Sequence, residues 1–265
     1  LSDVLFFSRV PERGTSLINA AVMQAARILF LCALLPLKCA THASLRGKLS
    51  SPCHCQIDSK HWTRASRTQP KCLFIDLGAG SGSDLEAFAQ DKFGPVGNCP
   101  SGDWEAILVE ANPVFTATLN AVAAQFPGKV HVNASHAAYM CDAKTAFYIN
   151  EAESTSITGF HQAVASSTLG TELKQVEVET VNINRLLIEN AIPGDYVILK
   201  MDVEGAEFDI LPCMAESPSG SLIDRLYVEE HDPSWGLEGA TLNTMQTAMA
   251  GLRTRGVDIP KNSPV

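Results

Sequence analysis

No apolar stretch of this chain is long enough to cross a bilayer. The longest, Ile28-Leu29-Phe30-Leu31-Cys32-Ala33-Leu34-Leu35, forms a core of roughly ten residues before Pro36 interrupts it, against the roughly 20 a spanning helix needs. Basic residues are also in deficit. Lys and Arg number 20 against 29 Asp and Glu, for a net charge of −9, which argues against general nucleic-acid binding. No internal repeat is evident. The Cys53-His54-Cys55 group with His61 matches no zinc spacing, because structural zinc sites pair C-x2-C with H-x3-H or its relatives. The dinucleotide-binding pattern G-x-G-x-x-G is missing as well.

In place of that pattern stands Asp76-Leu77-Gly78-Ala79-Gly80-Ser81-Gly82, a D-x-G-x-G-x-G turn. The apolar run Cys72-Leu73-Phe74-Ile75 leads into it and the helix-like run Asp84-Leu85-Glu86-Ala87-Phe88-Ala89 follows. A strand, a glycine turn and a helix bring bare backbone N–H groups up to a nucleotide-like ligand. The spacing points away from redox chemistry and towards group transfer.

The 265 residues suffice for one α/β domain with extras, and an apolar content of 46% suits a globular core. Residues 1–43 read as an upstream segment followed by a signal peptide that starts at Met23 and is cut near Ala43, with a buried helix or a short anchor as the alternative. This reading places the protein in the secretory pathway, lumenal or secreted, with no stable membrane span after cleavage. It would be cytoplasmic if residues 23–43 are not a signal. Six cysteines remain after cleavage, an even number that permits disulfides without fixing their pairing. Residues 44–70 carry Arg46, Lys48, Lys60, Arg64 and Arg67 against Asp58, without apolar periodicity, and read as a basic linker or stem.

From residue 71 to 265, strand and helix signals alternate. Buried strands are expected at 73–77, 106–110, 129–133, 196–201 and 222–229, with shorter ones near 146–150 and 176–181. Helices are expected at 84–90, 113–125, 184–189, 204–214 and 242–255. Continuous apolar strands separated by helices predict a doubly wound, mostly parallel sheet. The run Gly256-Val257-Asp258-Ile259 looks like the start of a further strand, so a C-terminal piece is expected to be missing.

Ligands in such sheets sit at the carboxyl ends of the strands. The first strand end offers Asp76 and the glycines. The second offers Glu110, about thirty residues on, suited to accept from two ribose hydroxyls. The fourth offers Lys200, Asp202, Glu204 and Glu207, and the fifth offers Glu229, Glu230, His231 and Asp232. Structural roles compete with each of these. Asn112 before Pro113 is a good helix cap. Acids early in a helix are favoured by its dipole.

The stretch Leu199-Lys200-Met201-Asp202-Val203-Glu204-Gly205-Ala206-Glu207 resembles the K-x-D-x-E-G-x-E signature of the FkbM family of S-adenosylmethionine-dependent methyltransferases. Residues 74–82 resemble methyltransferase motif I, Val109-Glu110-Ala111-Asn112-Pro113 its second-strand end, and Tyr227-Val228-Glu229-Glu230-His231 the strand that follows the signature. Two positions depart from the family: Gly80-Ser81-Gly82 stands where Asn-x-Gly is common, and Asn182 stands in the T-L-D position.

The resemblance implies a class I methyltransferase, Rossmann-like fold, with S-adenosylmethionine as cofactor. Asp76, Gly78, Gly80, Gly82, Glu110 and Asn133 would hold the cofactor, with the region after the third strand near adenine. Asp202 or His231 would act as base for a hydroxyl acceptor, Lys200 would orient Asp202, and Glu204 and Glu207 would shape the acceptor site. The acceptor is expected to be a glycan or a small molecule. A divalent cation bridging Asp202 with Glu229 or Glu230 is conceivable but not expected. The rival expectation is a catalytically silent Rossmann-like domain that binds a ligand or partner in the secretory pathway.

Overall fold

A computed structural model describes Cys53 and residues 61–93, 104–149, 174–236 and 241–261. All of these lie in the compact unit Leu49–Val265. The signal-like segment, Cys55, Cys99 and most of the basic stem fall outside the described residues.

Among the described residues, eight strands form two sheets. The larger has β1 (Cys72–Leu77), β2 (Trp104–Glu110), β3 (Val130–Ala134), β7 (Tyr196–Met201) and β8 (Arg225–Val228) in the order β3-β2-β1-β7-β8. Every pairing in it is parallel. All six residues of β1 and five of the six in β7 are buried, as continuous apolar strands covered on both faces must be. The smaller sheet has β4 (His136–Tyr139), β6 (Lys174–Asn182) and β5 (Lys144–Ile149), with β4–β6 parallel and β5–β6 antiparallel.

Helices α1 (Ser83–Ala89) and α2 (Thr116–Ala123) cover one face of the large sheet. They pack Leu85, Phe88 and Leu119 on Phe74, Leu108 and Ile198. Helices α3 (Ile183–Asn190), α4 (Glu207–Glu216) and α5 (Leu242–Thr254) cover the other face, over Ile75, Val109 and Leu199. The sheet is therefore doubly wound and Rossmann-like, as its strand pattern predicts. The chain reverses direction across the sheet between β1 and β7, so a crevice opens at their carboxyl ends.

Three local readings change. The helix expected over 113–125 is a 3-10 turn, Pro113–Phe115, followed by α2, because Asn112 caps the turn by accepting from the Val114 N–H. The strand expected over 222–229 shortens to Arg225–Val228, because a 3-10 turn occupies Pro218–Leu222. The segment over 256–259 contributes one parallel bridge, Asp258 to Arg225.

The described residues of the stem are fastened to the domain. The Ala65 N–H donates to the Ile188 carbonyl at 3.0 Å. Arg67 donates to Asp195 and to the Asn190 carbonyl. Burial works against the Asp195 charge, but Arg67 and two backbone N–H groups hold its carboxyl below the usual range. A disulfide joins Cys53 to Cys213 in α4. Cys72 and Cys141 are disulfide-bonded as well. Among the described residues no helix is long and apolar enough to cross a membrane.

Candidate active site

Backbone hydrogen bonds lace the strand ends together. The Gly78 N–H donates to the Val109 carbonyl, Asp202 N–H to Leu77 and Glu229 N–H to Met201, each at 2.9 Å. Gly78 (φ +82°) has no room for a side chain: a Cβ there would stand 1.7 Å from the Asp202 carbonyl oxygen. The glycine turn and the Asp202 turn can abut only because that Cβ is missing.

Above this junction lies a cleft of about 590 Å³. It is lined by Gly78, Gly80, Ser81, Asp84, Lys200, Asp202 and Glu229, with Val114, Phe115 and Thr118 on its apolar side. Gly80 (φ +51°) leaves open space where a Cβ would be. Glu110 is buried behind the loop. Its Oε2 accepts from the Gly80 N–H at 2.7 Å and its Oε1 from the Asn112 N–H at 2.6 Å. Burial raises the pKa of Glu110 against those two bonds. Each oxygen keeps a second lone pair for a ligand hydroxyl.

Asp76 is wholly buried, and neither of its oxygens accepts a hydrogen bond. Its nearest cation is the Lys200 Nζ at 3.9 Å. Burial pushes its carboxyl up to about 7; Lys200 opposes this, and the charges of Asp84, Glu110 and Asp202 add to it. Lys200 itself is shared. Its Nζ lies 2.6 Å from Asp84 and 3.4 Å from the Oδ2 of Asp202. Burial disfavours the ammonium, but Asp76, Asp202 and Asp84 together hold it above its ordinary range.

The other oxygen of Asp202 turns towards His231, with Oδ1 3.6 Å from Nε2. The Oε2 of Glu204 lies 3.3 Å from the same nitrogen. On the far side of the ring, Nδ1 meets Oε1 of Glu207 at 3.0 Å, and that oxygen also accepts the His231 N–H. Glu207 has no exposed surface, and its Oε2 accepts the Gly205 N–H. Because Glu207 is an acceptor, the Nδ1 of His231 carries the hydrogen and Nε2 faces the acids. Burial lowers the pKa of this imidazole, but the Glu207 bond and the charges of Glu207, Glu204 and Asp202 carry it above its ordinary value. Trp235 stacks on the ring at 5.1 Å. The Trp235 backbone fits there because Gly205 (φ +96°) has no Cβ; one would lie 2.4 Å from the Trp235 carbonyl oxygen. Burial pushes Glu204 up to about 7, and burial together with Asp202 raises Glu229.

Seven carboxylates thus surround one lysine and one histidine: Asp76, Asp84, Glu110, Asp202, Glu204, Glu207 and Glu229. Such a site favours a cationic ligand.

The structure brings Gly78, Gly80, Lys200 and Asp202 to one cleft, with Asp76 and Glu110 behind its wall and Glu204, Glu207 and His231 alongside. Two residues fall elsewhere. Gly82 (φ +89°) turns towards α2, where a Cβ would crowd Leu119 and Val122 at 3.3 Å. Asn133 pairs with Val109 in β3, and strand alternation puts it on the α3 face. There it lines a different cavity, with His131, His136 and Arg185. Asn133 therefore does not line the glycine-loop cleft.

Asp84 and Trp235 were not anticipated as site residues. Asp84 reads in the sequence as an ordinary first-turn acid, and nothing in the sequence marks Trp235.

A family model described as a methyltransferase FkbM domain matches residues 76–252. No curated protein and no solved structure matches the chain.

Proposed function

The chain belongs to the FkbM methyltransferase family, and from that premise we propose that it transfers a methyl group from S-adenosylmethionine to a hydroxyl of a glycan or small molecule. The observation that carries this reading is a single cleft that holds the glycine turn on one side and Lys200, Asp202 and Glu229 on the other. Its volume of about 590 Å³ suits a cofactor-sized ligand.

The residues present fit that cofactor. Gly80 provides a backbone cradle with free space above it. Asp76 offers a buried carboxylate with no hydrogen-bond partner, matched to an ammonium group. Glu110 retains lone pairs for ribose hydroxyls. When bound, S-adenosylmethionine supplies a methyl carbon already activated by a positive sulfur. The protein's share is then alignment, exclusion of water and removal of the acceptor's proton. Asp202 and His231 form the pair that takes this proton, with Lys200 holding one oxygen of Asp202 and Glu207 fixing the imidazole tautomer.

The secretory-pathway assignment is part of the proposal. The Cys53–Cys213 disulfide and the bonded Cys72 and Cys141 support it, since such bonds persist in oxidising compartments.

The test uses the full chain and methyl-labelled cofactor with a panel of glycans, lipids and small hydroxylated molecules. Cofactor binding with methyl transfer to a hydroxyl, lost in Asp202→Ala while cofactor binding is retained, is the expected result. No affinity for S-adenosylmethionine would leave the silent ligand-binding domain as the better reading.

A further inference from the structure

The geometry points to a divalent-cation site formed by Asp202, Glu229 and His231 at the rim of the cleft. It departs from the sequence-based expectation that no metal is held. Its purpose rests on the methyltransferase reading, but its existence does not.

Three donor atoms from these side chains lie within 4.8 Å of one another. Bond lengths of about 2.0–2.2 Å put any two donors on one ion within roughly 4.4 Å of each other. The His231 Nε2 to Asp202 Oδ1 distance of 3.6 Å already falls inside that range. Glu229 is exposed and its side chain already engages Asp202, so small side-chain adjustments bring it onto the same ion.

Independent support comes from the histidine. The Glu207 bond at Nδ1 commits the ring's hydrogen to that side. An imidazole acceptor nitrogen is then aimed at two acceptor carboxylates, Asp202 and Glu204. Nε2 and these two carboxylates converge on one point, where either a proton on Nε2 or a bound metal ion satisfies them, and a metal titration tells the two apart. A carboxylate fixing the remote nitrogen of an imidazole is also how proteins orient histidine ligands.

Asp202 is divided in the same sense. Lys200 takes Oδ2, and Oδ1 faces the site. Lys200 is already shared with Asp76 and Asp84, so its charge offsets that of Glu229 only in part.

One imidazole nitrogen with two carboxylates, and no thiolate, suits a first-row divalent ion of the manganese kind better than calcium or a thiophilic metal. The ion's remaining positions face the cleft. An acceptor hydroxyl ligated there would be acidified by the ion. With Asp202 and His231 engaged as ligands, Glu204 replaces them as the carboxylate that receives the proton.

Manganese(II) chloride is the probe, titrated into the EDTA-stripped and dialysed full chain and followed by loss of the free-ion EPR signal. One saturable site per chain is expected. Glu229→Gln, Asp202→Asn and His231→Ala should each weaken it by tenfold or more, and Glu230→Gln should leave it unchanged. Glu207→Gln, which acts through His231, should weaken it about tenfold. Thermal melts establish that each variant is folded, and Glu229→Gln, altered only at an exposed strand end, is the variant least exposed to that concern.

The absence of a saturable site would overturn the proposal. A site with the same affinity in Glu229→Gln and Asp202→Asn would also overturn it. S-adenosylmethionine binding to the stripped protein is measured in parallel. Retained cofactor binding with no manganese site defeats only the metal. A manganese site with no cofactor binding defeats only the methyltransferase reading.

Discussion

The Nδ1 of His231 lies 3.0 Å from the Oε1 of Glu207, a carboxylate with no exposed surface. Glu207 opens α4, and the same residue accepts the N–H groups of Gly205 and His231. One buried side chain therefore joins the turn after β7 to the loop after β8. The orientation of the imidazole is set from the protein interior.

Glu207→Gln places an amide donor against at least one of those donors. A loss of about 1–3 kcal/mol is expected, by chemical denaturation, for leaving a buried donor unmatched. Methyl transfer should fall by about 10²-fold or more, as for loss of general acid–base function, while cofactor binding is retained. The pH dependence has a definite sign. The folded pKa of His231 is raised above 6.5, so the Glu207–His231 pair stabilises fully below that value and its contribution fades as pH rises through the folded pKa. The stability gap between wild type and variant should be larger at pH 5.5 than at pH 9.

Gly78 and Gly80 should respond differently to alanine. At Gly78 the new Cβ meets backbone 1.7 Å away, so Gly78→Ala should not yield a folded protein. At Gly80 nothing lies within 4 Å, and the cost is the left-handed backbone alone, about 1–2 kcal/mol. Gly80→Ala should fold, melt a few degrees lower and bind S-adenosylmethionine more weakly. Thermal melts with a cofactor-binding assay separate the two outcomes.

Asp76 carries a pH signature opposite in sense to that of an ordinary salt-bridged acid. Its carboxyl moves from 3.8 to about 7 on folding, so the folded state binds the extra proton and stability declines as pH rises between about 4 and 7. Asp76→Asn should flatten that slope. At pH 8 without cofactor the variant should be roughly 1–3 kcal/mol more stable than wild type. It should also bind S-adenosylmethionine more weakly. Urea titrations at several pH values check the first part, and labelled-cofactor binding checks the second.

Much of this site was legible because the sheet is parallel. Continuous apolar runs locate β1, β2 and β7, and in a parallel sheet the residues just past such runs converge on one edge. That logic finds Asp76, Gly78, Lys200 and Asp202 together. It fails for Asn133, whose face depends on strand alternation rather than on position along the chain. It also fails for Asp84, which reaches Lys200 only through the turn of α1. The small sheet was harder still. β4 is a four-residue strand of small residues, His136–Tyr139, with no apolar run to reveal it, and its partner β6 lies far along the chain. The pairing of Cys53 with Cys213 spans 160 residues and follows from the fold rather than from any spacing.

Removal of that disulfide by Cys53→Ser with Cys213→Ser should cost about 2–5 kcal/mol. Melting in the presence and absence of reductant checks this. Wild type and variant should melt together once both are reduced, since the bonds at Cys72 and Cys141 are then broken in each.

The attachment of Cys53 and Arg67 also fixes where the folding unit can be cut. The family match starts at Asp76, yet β1 begins at Cys72, Arg67 anchors on Asp195, and Cys53 is bonded into α4. A fragment trimmed to the matched residues would lose the first four of the six residues of its central strand and leave Asp195 without Arg67 and Cys213 without Cys53. The autonomous unit therefore reaches upstream to Cys53 at least, and the described residues Ala65 and Arg67 are a clasp on the domain's flank.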